Sequence, residues 1–112
     1  MNYNDEFLKK MVQCGTLGYP ISKILNVCDV PDVEQFIRDF DNPNSIIAFN
    51  YQKGSDISDF LLDGKLYEMA KNGDLQAMKK YEERKKANIA KGIAEARERN
   101  LRTPINRKQL NK

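Results

Sequence analysis

The chain has 112 residues, 40% apolar and 31% charged, with a formal net charge of +3 at pH 7 and no histidine. That length holds one domain, or one small domain with an appended arm, and so small a core gains from oligomerisation. No run approaches the roughly 20 apolar residues of a membrane span, and the acidic opening Met1-Asn2-Tyr3-Asn4-Asp5-Glu6 is unlike a basic signal peptide, so the cytoplasm is the expected location.

The first predicted helix runs from Asn4 or Asp5 to about Cys14. Phe7, Leu8, Met11 and Val12 form its apolar stripe, acids occupy its first turn, and Gly15 is expected to end it. The second starts near Pro20 and carries Ile21, Ile24 and Leu25 into a turn at Asn26-Val27-Cys28-Asp29. A third follows from Pro31 or Asp32, with Val33, Phe36, Ile37 and Phe40 on one side, and stops at Asp41-Asn42-Pro43-Asn44. Ser45 then caps a long helix reaching Asn72, with Ile46, Ile47, Ala48, Tyr51, Ile57, Phe60 and Leu61 as candidate buried residues. Gly54 and Ser55 are placed to kink or break it.

Asn72-Gly73-Asp74 is the sharpest punctuation in the chain. Gly73 suits a helix end at positive φ, and Asp74 can accept hydrogen bonds from the first amides of the next helix. Leu66, Tyr67 and Ala70 precede the joint; Leu75, Met78 and Tyr81 follow it at helical spacing. The last helix begins at Leu75 and extends to about Asn100, thinning after Tyr81 to Ala87, Ile89, Ala90, Ile93, Ala94 and Ala96. Such a stripe calls for packing against another chain, or the helix frays. Residues 101–112 read as a flexible basic tail broken at Pro104. No segment alternates with period two, and the expected fold is all-α. Its parts are a helix-turn-helix-like three-helix unit at 1–44, a helical hairpin at 45–81 with its joint at 72–74, and a basic helical arm and tail at 82–112.

Charge is divided along the chain. Residues 1–81 hold nine Lys/Arg and twelve Asp/Glu, a net of −3, whereas residues 82–112 hold ten and four, a net of +6. An acidic body with a basic arm suggests an anionic partner for the arm, either nucleic acid or an acidic protein surface. Arg84, Lys85, Lys86, Lys91, Arg97, Arg102, Arg107 and Lys108 are the candidate DNA-binding cations. They spread around a helix, and no aromatic follows Tyr81, so binding there should tolerate any sequence and weaken steeply with salt.

Cys14 and Cys28 flank the second helix and read as small buried thiols; a disulfide is not expected in a reducing compartment. Asp56, Asp59 and Asp63 fall near one helical face, where a divalent cation or plain solvation are the two readings, and solvation is favoured for want of further ligands. With no His, no activated Ser or Cys context and no phosphate loop, neither a catalytic site nor a cofactor is expected.

The pattern in Leu61–Arg84, LLDGKLYEMAKNGDLQAMKKYEER, resembles the segment after the DNA-binding helices in small terminase subunits of tailed bacteriophages. Ile21 to Phe40 resembles their helix-turn-helix region, and the likeness covers roughly residues 7 to 84. It implies a non-enzymatic, ring-shaped homo-oligomer that recognises viral DNA and regulates a large packaging subunit bearing the ATPase and nuclease. On that likeness Leu66, Tyr67, Ala70, Gly73, Asp74 and Ala77 are structural, and Ser22, Lys23, Gln35 and Arg38 stand where DNA contacts belong. The arm after Glu82 would assemble subunits or meet the large subunit. The third helix departs from the pattern: Asp29, Asp32, Glu34, Asp39 and Asp41 surround Arg38, and phosphates repel that charge. Two alternatives follow: a virion structural or accessory protein that keeps the helices without binding DNA, and a helix-turn-helix transcription regulator acting as a dimer.

Overall fold

A computed structural model describes residues 3–102. The fold is all-α: α1 (Asp5–Leu17), α2 (Ile21–Val27), α3 (Val33–Asp41), α4 (Ile46–Lys71) and α5 (Leu75–Arg102). Arg107 and Lys108 lie outside the described residues. Two compact units divide between Leu62 and Asp63, so α4 contributes to both.

Capping side chains start α1, α3 and α4, whereas α2 opens at Pro20 without one. Asn4 accepts from the Phe7 amide at 2.8 Å, and Asp32 from the Gln35 amide at 3.1 Å. Ser45 serves α4, accepting from the Ala48 amide at 3.0 Å while its hydroxyl donates to the Asp39 carbonyl of α3. The core is Met11, Cys14, Ile24, Cys28, Phe36 and Ile47. Along its flank runs a chain of rings, Tyr3–Phe7–Phe36–Phe40–Tyr51, with successive centroids 5.2, 5.8, 6.1 and 5.1 Å apart. Tyr51 closes the unit by donating its hydroxyl to the Tyr19 carbonyl at 2.9 Å.

Gly15 does not end α1. It is buried inside the helix, and the end comes at Gly18, whose φ of 68° lets its amide and that of Tyr19 reach back to Gly15 and Cys14. Nor does Gly54 break α4, which continues through it. Both glycines serve a close crossing of the two helices. A Cβ on Gly15 would stand 1.9 Å from the Tyr51 carbonyl oxygen, and one on Gly54 would stand 1.9 Å from that of Val12. Thr16 ties the crossing, its hydroxyl lying 2.9 Å from the Val12 carbonyl and 3.2 Å from that of Gly54.

That crossing selects which face of α4 turns inward. Ile47 is buried and Tyr51 half-buried, but Ile46, Ile57, Phe60 and Leu61, all expected in the core, are exposed. Apolar residues surround this stretch of α4, and only the Ile47–Tyr51–Gly54 side meets α1. The turn expected at Asn26–Asp29 also shifts. Asn26 and Val27 stay helical, and Cys28 leaves the helix into the core.

In the second unit the joint forms as the residues dictate. The Asp74 amide bonds the Met69 carbonyl, the Gly73 amide bonds that of Ala70, and Gly73 sits at φ 99°. Asp74 then accepts from the Ala77 amide at 3.0 Å, opening α5. Leu66, Ala70 and Ala77 are buried. Tyr67, expected to be structural, is 47% exposed, and Leu75 and Met78 also face solvent, because two helices alone bury only one narrow face each. The rings of Tyr67 and Tyr81 instead rest on each other at 5.5 Å.

Gly15→Ala and Gly54→Ala should each lower stability by about 2 kcal/mol despite the better helix propensity of alanine. Gly92→Ala, with nothing within 4 Å of its added methyl, should be neutral or stabilise by up to ~1 kcal/mol; urea midpoints compare the three. Gly73→Val should cost about 1 kcal/mol or more, read as a lowered melting temperature. Burial, then the neighbouring Cys28 thiol, pushes Cys14 from 9.0 up to about 11. Because the fold favours the protonated thiol, this stabilisation is complete below pH 9.0 and declines as pH rises to about 11. Urea midpoints across that window should fall less steeply in Cys14→Ala.

Candidate nucleic-acid interface

The expected DNA contacts divide into two groups. On α2, Ser22 and Lys23 are exposed, and the Lys23 ammonium sits 4.3 Å from the Tyr19 ring centroid. On α3, Gln35 and Arg38 are held by their own helix. Arg38 donates to the Gln35 side-chain oxygen at 3.0 Å, and the Gln35 amide donates to Asp39 at 2.9 Å. Asp39 accepts again from the Tyr3 hydroxyl at 2.5 Å. Burial first, and then this bond, pushes the Tyr3 pKa upward and keeps the phenol protonated. Asp39 is therefore an anchor between α3 and the N-terminal segment, and Arg38 is the only cation on α3.

The second group lies on α5. Lys85, Lys86, Lys91 and Arg97 are exposed, and Arg102 is the last residue of the helix. Lys85 reaches over the Tyr81 ring at 5.9 Å. Arg84 differs from them. Its guanidinium pairs with Asp63 across the hairpin, with both side chains about one-third exposed. Asp63 and Arg84 are equidistant from the midpoint of the Gly73-Asp74 joint, as are Ala70 and Ala77. That register was available in the sequence once the hairpin was accepted, yet Asp63 reads there as one of three solvated acids. Beside this pair a hollow of about 320 Å³ is lined by Asp63, Tyr81, Lys85, Asn88 and Ile89.

The geometry therefore offers cations of two kinds: Arg84 is engaged by a carboxylate, and Lys85, Lys86, Lys91 and Arg97 stand in solvent where a phosphate can reach them. Exposed ammonium and guanidinium groups on one helix can neutralise phosphates without ordering a base. Among the described residues, no group of three or more Cys, Asp or Glu is arranged to hold a metal ion, and Asp56 accepts from Gln52 at 3.0 Å. No described helix is long and apolar enough to cross a membrane. Comparison of the chain with family models, with curated proteins and with solved structures finds no match.

Proposed function

We propose that this chain is a non-enzymatic adaptor that handles DNA, of the phage-packaging kind its sequence resembles, and that it touches DNA through the cationic part of α5 and the residues beyond. Charge segregation carries the reading: a net of +6 in residues 82–112 against −3 in residues 1–81. The solvent-facing Lys85, Lys86, Lys91 and Arg97 are the residues assigned to phosphates. Arg84 is left out of that set because Asp63 already engages it. Ser22 and Lys23 can add a phosphate contact from α2, while Gln35 and Arg38 are committed to Asp39 and to each other. The exposed Ile89 and Ile93 on the same helix suit a protein partner, and the large packaging subunit is the partner the resemblance suggests. A specific observation favours a second reading. The acids around Arg38 oppose groove binding by α3, which fits a virion accessory protein that keeps the helices without reading DNA.

Fluorescence anisotropy with a labelled duplex separates these readings. The full chain should bind with affinity that falls as salt rises, irrespective of sequence. Replacing Lys85, Lys86, Lys91 and Arg97 by Gln should weaken it at least about tenfold and flatten the log–log salt slope by roughly 3 to 4. No binding at low salt, or unchanged binding by the substituted chain, would remove DNA contact by this arm from the account.

A further inference from the structure

Phe49, Gln52, Lys53, Asp56, Ile57 and Phe60 line an open groove of about 470 Å³ along α4. Phe49 is 65% exposed and Phe60 76%. At roughly 100° per residue, this groove lies on the side of α4 opposite the Ile47–Tyr51–Gly54 face that meets α1. The packing of the first unit thus leaves it uncovered.

The order of the lining residues has a symmetry. Phe49 and Phe60, Gln52 and Ile57, and Lys53 and Asp56 are each placed evenly about the midpoint of Gly54 and Ser55. Phe49, Lys53, Asp56 and Phe60 follow one another at spacings of four, three and four, the alternation of a helix–helix seam. Turning the helix end over end therefore sets phenylalanine over phenylalanine and lysine over aspartate.

We propose that a second copy of this chain fills the groove, its α4 packed antiparallel about a twofold axis passing between Gly54 and Ser55. In that arrangement Phe49 of each copy meets Phe60 of the other, Ile57 covers the Gln52 methylenes, and Lys53 pairs with Asp56 at two related places. A parallel arrangement would oppose lysine to lysine and aspartate to aspartate, so the charges select the orientation. Among the described residues neither Lys53 nor Asp56 has an ion-pair partner within the chain, and the Gln52 amide occupies one Asp56 oxygen. Four phenylalanines at no more than roughly 150 Å² each supply about 600 Å², half of the ~1,200 Å² at which specific interfaces begin, and the Gln52, Lys53, Asp56 and Ile57 side chains of both copies must cover the rest. The contact is isologous, the commonest kind in homo-oligomers. It needs no nucleic acid and stands apart from the DNA reading above.

Sedimentation equilibrium of the full chain without DNA, from about 1 µM to about 300 µM, tests this. The mass should rise from 13.0 kDa toward twice that value. Lys53→Asp or Asp56→Lys alone should weaken association at least about tenfold, because each sets like charges together. The chain carrying both substitutions should recover to within about threefold of the original, since the pairing is restored with its signs exchanged. Helix content by circular dichroism should be equal in all four proteins. A monomer throughout the range, a larger assembly indifferent to the single substitutions, or failure of the double substitution to recover would each overturn the twofold contact.

Discussion

Backbone meets backbone where α1 crosses α4. Gly15 and Gly54 let the two helices approach so closely that a methyl group on either would overlap a carbonyl oxygen of the other helix. Thr16 gives the crossing a polar tie by setting its hydroxyl against carbonyls from both helices. Much of the first unit follows. The crossing turns Ile47 into the core, brings Tyr51 to the Tyr19 carbonyl, and holds α4 where Phe40 can meet the Tyr51 ring. It also decides what stays outside. With one side of α4 committed to α1, Phe49, Ile57 and Phe60 are left in solvent, and that uncovered side is where the proposed second copy docks.

The second unit depends on a different device. Its two helices bury little beyond Leu66, Ala70 and Ala77, so the chain reversal at Gly73 and the cap at Asp74 do a large part of the ordering. The Asp63–Arg84 pair adds register but, being partly exposed, contributes modestly. Its larger effect is on charge. It holds one guanidinium of the basic arm and leaves Lys85, Lys86, Lys91, Arg97 and Arg99 among the cations facing solvent. In the proposed function these act together as a phosphate-binding surface of low selectivity. A twofold pair of chains would carry two such arms, and linked arms bind a polyanion more tightly than either does alone.

Hydrogen bonding separates two kinds of polar residue that look alike on paper. Gln35, Arg38 and Asp39 have the composition of a base-reading helix face, yet Asp39 is held by Tyr3 and Gln35, and Gln35 in turn holds Arg38. These bonds are local ties within α3 and to the chain start. Around them the acids of α3 set a negative field, which is why the proposed DNA contact rests on α5.

Local chemistry alone determined the all-helical class, the caps at Asn4, Asp32, Ser45 and Asp74, and the reversal at Gly73, because each depends on residues within one or two turns of one another. The charge division was equally plain, since it needs only counting. Gly15 reads locally as a helix end and Gly54 as a kink or a break, yet both helices run on through them. A glycine in a helix is a weak point when the helix stands alone and an opening when a second backbone must come near, and no local pattern distinguishes the two cases. The same limit put Phe60 and Leu61 in the expected core: apolar residues fall on every side of α4 among its polar ones, so its inward face is chosen by the partner helix and not by its own periodicity. What lies near in sequence was decided by the residues themselves; which face of α4 is free and which cations remain unengaged was decided only when distant segments met.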